Sequence, residues 1–222
     1  MNKPFIIIVL ISLLAVSAWR FNDPGKPVTW QLDNTSLIGG FKPIILGNPL
    51  ITSEGKNRSI YFNGVNDGLI VPSIPIMGWS AFTIEVLFKA DSDGTRAPRF
   101  IHFEDTALNR GTFELRLTTD GQWYLDAFLK NGKTNKGLAL IDSTRLHPAN
   151  KWHWAALAYD GKKMYSYING QKELEGIIDF PSMTKGNLSL GVRLNKVNWF
   201  KGQIREIRFH PSKLEAEQLQ HY

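Results

Sequence analysis

NKWHWAALAYDGKKMYSYINGQKE, residues 150–173, gathers two tryptophans, three tyrosines, an Asp-Gly and an Asn-Gly into one short stretch. Trp152, Trp154, Ala156 and Ala158 alternate with His153, Ala155, Leu157 and Tyr159. Period two is the signature of a strand, whose successive side chains point to opposite faces. Asp160-Gly161 turns the chain, and Met164, Ser166 and Ile168 then alternate with Tyr165 and Tyr167. Asn169-Gly170 is a hairpin signal, because a type I′ turn needs positive φ at both central residues. The stretch therefore predicts a three-stranded meander, with Trp152 and Trp154 expected in the core.

The same grammar extends in both directions. Turn pairs recur at Gly39-Gly40, Asn63-Gly64, Asp93-Gly94, Asp120-Gly121 and Asn131-Gly132. Between them Phe82, Ile84, Val86 and Phe88 share one face, as do Phe113, Leu115 and Leu117, and Trp123, Leu125, Ala127 and Leu129. Leu188, Leu190, Val192 and Leu194 alternate with Asn187, Ser189 and Arg193. Many short half-buried strands with turn residues between them indicate an antiparallel all-β sandwich or barrel. Only the C-terminus reads as helical: Ser212-Lys213-Leu214-Glu215 fits a capping box, and Leu214 and Leu219 are placed to dock a short helix.

Composition narrows the functional classes. The chain has 222 residues and no cysteine, which excludes disulfides, thiolate metal sites and a cysteine nucleophile. Residues 1–18 read as a signal peptide: Lys3, an apolar run from Phe5 to Leu14 broken only by Ser12, then Val16-Ser17-Ala18. That run falls short of the about 20 residues a membrane span needs, so no stable span is expected after cleavage. The mature domain is then 19–222 and exported. A net charge of +6 without a Lys/Arg run argues against nucleic acid and leaves a mild preference for anionic polymers.

Lys151-Trp152-His153-Trp154 through Tyr159-Asp160-Gly161, followed by Tyr165 to Gly170, resembles the W-H-x-x-A-x-x-Y-D-G … Y-x-N-G signature of laminin-G-like domains. These belong to the concanavalin A-like lectin/glucanase superfamily. Ser59–Gly64 with Asp67–Pro72, Phe82–Val86 and Phe200–Phe209 resemble three further segments of that family, in the family's order. The resemblance covers roughly 28–222 and implies a jelly-roll sandwich of two antiparallel sheets. It also implies a calcium site in many members. Here Arg205 stands where the closing motif usually has Asp, and a guanidinium cannot ligate a cation. No cofactor is therefore expected, and Asp67 is read as capping a turn rather than binding calcium.

Chemistry leaves few strings to follow. The E-x-D-x-x-E of laminarinase-type members is absent, and Arg110–Arg116 resembles only one of the strands alginate lyases need. One polar face remains: Glu85, His102, Glu104, Glu114, Arg116, Tyr124 and Asp126 all point away from the apolar sides of their strands. Carboxylates, Arg and an aromatic ring suit sugar hydroxyls and acidic glycans. The ligand-binding candidates are thus Glu114, Arg116, Tyr124, Asp126 and His102, with Trp199 as a stacking platform; no catalytic or metal-binding residue is assigned. The leading expectation is a non-catalytic carbohydrate-binding or adhesion domain for an extracellular or cell-surface glycan. A lyase or hydrolase working from the Glu114/Arg116 face is the alternative, and a protein-interaction module the second.

Overall fold

The computed structural model describes residues 25–222. The signal peptide expected at 1–18 lies outside them. The strands are numbered along the chain. The first sheet runs β14 (Gln171–Ile177), β13 (Lys163–Ile168), β12 (Trp152–Tyr159), β6 (Phe82–Ala90), β16 (Lys201–His210), β4 (Asn57–Asn63) and β3 (Leu50–Glu54). β1 (Val28–Gln31) pairs with the outer half of β16. The second sheet runs β10 (Gly137–Ile141), β9 (Gln122–Lys130), β8 (Arg110–Leu117), β7 (Arg99–Asp105), β15 (Gly186–Leu190), β5 (Gly68–Val71) and β2 (Ile44–Leu46). β11 (His147–Pro148) adds to β9. The strand ladders are antiparallel throughout.

One apolar core lies between the sheets. Phe88 stacks on Phe100, with ring centroids 4.4 Å apart, and Trp123 closes on Phe88 at 5.2 Å. The expected apolar faces of β6, β8 and β9 point into this core, as do Leu188 and Leu190 of β15; Val192 and Leu194, expected on the same face, lie beyond the end of that strand and outside the core cluster. The Asn169-Gly170 hairpin forms as expected, with φ of 47° and 74°. Asn169 Oδ1 accepts the Trp154 amide at 2.9 Å, and the Asn169 amide returns to the Trp154 carbonyl at 2.8 Å.

Two expectations need correction. β12 is buried on both faces, and the inward face is His153, Ala155, Leu157 and Tyr159. Trp152 and Trp154 are buried, but with Leu87 in a separate cluster on the outer side of the first sheet. Cations roof that cluster: Arg205 lies over Trp152 and Arg208 over Trp154. The C-terminal helix is a single 3₁₀ turn, Ala216–Gln218, three residues later than the expected cap. Its first amide, that of Glu215, donates to Gln218 Oε1 at 2.9 Å. Ser212 cannot start a helix because its carbonyl accepts the Thr83 hydroxyl and the Leu214 amide donates back to Thr83 Oγ1, both at 2.9 Å. This holds 212–214 against β6, and the segment continues across the first sheet. Leu219 packs there among Ala156, Ala158 and Tyr167.

Candidate functional site

The two sheets have different outer faces. The C-terminal segment crosses the first; the second carries the polar face. On β8, Phe113, Leu115 and Leu117 point inward, which turns Arg110, Thr112, Glu114 and Arg116 outward. β9 presents Tyr124, Asp126 and Phe128, and β7 presents Arg99, His102 and Glu104. A bulge in β7 between Arg99 and Ile101 buries both Phe100 and Ile101 and keeps Arg99 on the outer side.

Register then dictates the electrostatics. Glu114 stands directly opposite Asp126 on β9 and Arg99 on β7. Like charges facing each other across a ladder repel. Arg116, one step along on the same face, resolves this by reaching both carboxylates. Its Nη2 lies 2.7 Å from Asp126 Oδ2 and 2.8 Å from Glu114 Oε1, and its Nε donates to Asp126 Oδ2 at 3.2 Å. Arg99 Nη2 takes the other Glu114 oxygen at 2.6 Å. The Arg116–Glu114 contact is an ion pair with no N–H aimed at the oxygen, so Glu114 Oε1 keeps an unfilled acceptor. Glu114 and Asp126 are only 4% and 6% exposed. Burial, joined by the facing Asp126, holds the Glu114 pKa above its ordinary value although Arg99 and Arg116 pull it down. Against the effect of burial, the Asp126 hydrogen bond and Glu114 hold the Arg116 pKa up.

These groups floor a cleft of about 250 Å³. Arg110, Thr112, Phe128, Ala139 and Arg193 complete its lining. The Arg110 guanidinium lies 5.4 Å from the centroid of the Phe128 ring. His102 sits beside the cleft on β7, opposite Thr112 on one flank and Ser189 on the other. It is 2% exposed, and among the described residues neither ring nitrogen has a hydrogen-bond partner. Burial, and then the positive fields of Arg193, Arg110 and Arg99, push its pKa down to about 3. It is a neutral imidazole at any ordinary pH.

The structure thus brings Glu114, Arg116 and Asp126 into one cluster, with His102 buried beside it and Tyr124 half-buried across from Arg116. Glu104 is on the same strand face, opposite Arg110. Glu85 does not join them. It lies on β6 in the other sheet, 1% exposed, where Oε1 accepts the Gln220 amide at 2.7 Å and Oε2 lies 2.9 Å from His210 Nε2. Alternation assigns a face within a strand but not a sheet, and that is why Glu85 was misplaced. Trp199 is half-buried in the connection before β16 and does not line the cleft. Sequence reasoning missed Arg99, Arg110, Thr112, Phe128 and Arg193. Arg110 and Thr112 were legible as the continuation of the Glu114/Arg116 alternation.

A second cleft of about 270 Å³ lies where the sheets meet at β11 and β14. There His147 Nε2 and Glu173 Oε1 are 2.6 Å apart, tying the two sheets together.

The calcium expectation meets a specific donor set. Asp67 is 3% exposed, and its two oxygens accept the amides of Asn48 at 2.8 Å and Asn63 at 3.1 Å. Arg205 is turned onto Trp152 and Glu54. Among the described residues no three His, Asp or Glu side chains converge as metal ligands do. A carboxylate that caps two amides is a poor match to the about six to eight oxygens calcium takes.

A laminin-G family model, described as the concanavalin A-like lectin/glucanases superfamily, matches residues 63–220. The chain belongs to this superfamily. Among solved members of the fold, domain 4 of AbnA, an extracellular GH43 arabinanase from Geobacillus stearothermophilus solved with arabinotriose, superposes with a TM-score of 0.60. It shares 20% identity, over 86% of this chain and 94% of that one. The botulinum neurotoxin serotype D ligand binding domain, solved with N-acetylneuraminic acid, gives a TM-score of 0.63 at 16% identity, over 87% of this chain and 49% of that one. The serotype G binding domain gives 0.63 at 11%, over 86% and 49%. This concanavalin A-like chain therefore spans about half the length of the neurotoxin domains it resembles. At these identities the likeness is one of fold. No curated protein matches the sequence. Among the described residues no helix is long and apolar enough to cross a membrane.

Proposed function

We propose that this domain is an exported carbohydrate-binding module that holds its ligand on the outer face of the second sheet. The observation that carries the reading is the asymmetry of the sandwich. One outer face is crossed by the chain's own C-terminal segment, and the other bears a polar cleft with an aromatic ring in its wall. Sugars ask for that combination, a few fixed polar groups beside an aromatic face. The arabinotriose and N-acetylneuraminic acid bound by two relatives of the fold support it as precedent. The leader-like residues 1–18 support export. N-terminal sequencing of the protein recovered from outside the cytoplasm would begin near Trp19.

The same geometry favours binding over hydrolysis. Retaining glycosidases keep two carboxylates about 5–5.5 Å apart, with the scissile bond between them. Glu114 and Asp126 both touch one nitrogen of Arg116, so a guanidinium fills the space a sugar would need.

A glycan array probed with the full chain tests the proposal. Retention on at least one polysaccharide is expected, and Ala139→Trp, which places an indole in the cleft from an exposed position, should abolish it. Silence across the array, or undiminished retention by Ala139→Trp, would remove the reading.

A further inference from the structure

The cleft contains four arginines, and they are not equivalent. Arg99 and Arg116 are occupied: with Glu114 and Asp126 they form an alternating chain of two cations and two anions. Arg110 and Arg193 are not. Among the described residues neither guanidinium has an ion pair or hydrogen bond, and Glu104, opposite Arg110 in the ladder, does not close one. The two come from either side of β7, Arg110 from β8 and Arg193 from the turn after β15. That turn is fixed, with the Arg193 amide donating to the Val197 carbonyl at 3.2 Å and the Lys196 amide to the Arg193 carbonyl at 2.8 Å. Thr112 lies in the same lining, and among the described residues none takes its hydroxyl, which is open to the cleft.

We infer that Arg110, Arg193 and the Thr112 hydroxyl form a subsite for the anionic group, a carboxylate or a sulfate, of an acidic sugar unit. This rests on the carbohydrate reading above and names the class of sugar. A planar guanidinium offers paired donors that match the oxygens of either group. Phe128 keeps the Arg110 fork in place by lying beneath it. The neighbouring His102 stays neutral in the field of these arginines, so it adds no further positive charge there.

The test is direct binding of the full chain to polygalacturonate, to dextran sulfate and to neutral dextran. An acidic polymer should bind at least about tenfold more tightly than the neutral one, and Arg110→Gln and Arg193→Gln should each weaken it about tenfold, the scale of a lost charge-assisted contact. Arg145→Gln removes the same charge at the second cleft and should change nothing. Whichever acidic polymer is retained identifies the group, carboxylate or sulfate. Both cleft arginines are partly exposed, so unchanged thermal melts are expected. Should either variant fail to fold, salt supplies the second readout: wild-type affinity for the acidic polymer must fall as salt rises. Equal binding of acidic and neutral polymers, no dependence on salt, or an equal loss in Arg145→Gln overturns the anionic subsite and leaves carbohydrate binding standing. Failure to bind any of the three polymers overturns the anionic subsite, while the glycan array decides the carbohydrate reading.

Discussion

The guanidinium of Arg205 lies 3.9 Å from the ring centroid of Trp152, and the Trp152 indole N–H donates to Glu54 at 2.8 Å. Glu54 also pairs with Lys89 and, at 3.3 Å, with Arg205, so one carboxylate ties the roof to the ring beneath it. Arg205 is thus part of a packed outer layer. Trp152→Ala should cost about 3 kcal/mol or more by emptying that layer. Arg205→Met keeps the packing and loses the charge over the ring together with the partly exposed contact to Glu54, so it should cost about 1 kcal/mol. Urea midpoints measure both, and equal losses would mean that the indole is not the principal support.

Leu219 is 3% exposed and anchors the C-terminal segment on Ala156, Ala158 and Tyr167. Leu219→Ala should cost about 2 kcal/mol. It should also speed amide exchange at Gln220, whose N–H is held by Glu85. A melting temperature and exchange rate equal to the parent's would show that the segment is not docked in solution.

His102 sets a pH dependence whose sign is fixed. Its folded pKa is about 3 against 6.5 for the free side chain, so protons favour the unfolded chain. Its contribution to stability is complete above pH 6.5 and drains away as pH falls toward 3, by about 1.4 kcal/mol per unit in that window. Carboxylates add their own slope at low pH, so the measurement is the difference from His102→Gln. The variant should lose less stability between pH 6 and 4 than the parent; parallel curves would refute the assignment.

Arg116 and Glu114 should behave unequally although they touch. Arg116→Met leaves two buried carboxylates facing each other without their shared cation, at a cost of about 2–3 kcal/mol, tempered by Arg116 being one-third exposed. Glu114 is different, since burial raises its pKa despite two arginines at 2.6 and 2.8 Å. Its charge is then a burden on folding at neutral pH, relieved as pH falls through its folded pKa. Glu114→Gln should therefore change stability by less than about 1 kcal/mol. Chemical denaturation at pH 7 separates the two, and a larger loss for Glu114→Gln would reverse the argument.

Periodicity was enough to give an antiparallel all-β sandwich or barrel, because half-buried strands encode their two faces in alternate residues, and the family resemblance chose the sandwich. It fails where both faces are apolar. On β12 the larger tryptophans suggested the inward side, whereas small Ala155 with Leu157 and Tyr159 fill the space between the sheets. The candidate site was legible as far as its strands ran: Glu114, Arg116 and Asp126 emerged from alternation alone. Arg99 was hidden by the bulge beside it; Arg193 was read on the polar side of an alternation running to Leu194, whereas the strand ends at Leu190 and Arg193 stands in the turn beyond it.

The C-terminal segment gives the molecule a front and a back. Glu217 is exposed on the back, and the chain contains no cysteine, so Glu217→Cys would be the single thiol in the protein. Tethered to a bead or a sensor chip through that atom, every copy would stand in the same orientation with its arginine cleft facing the solution.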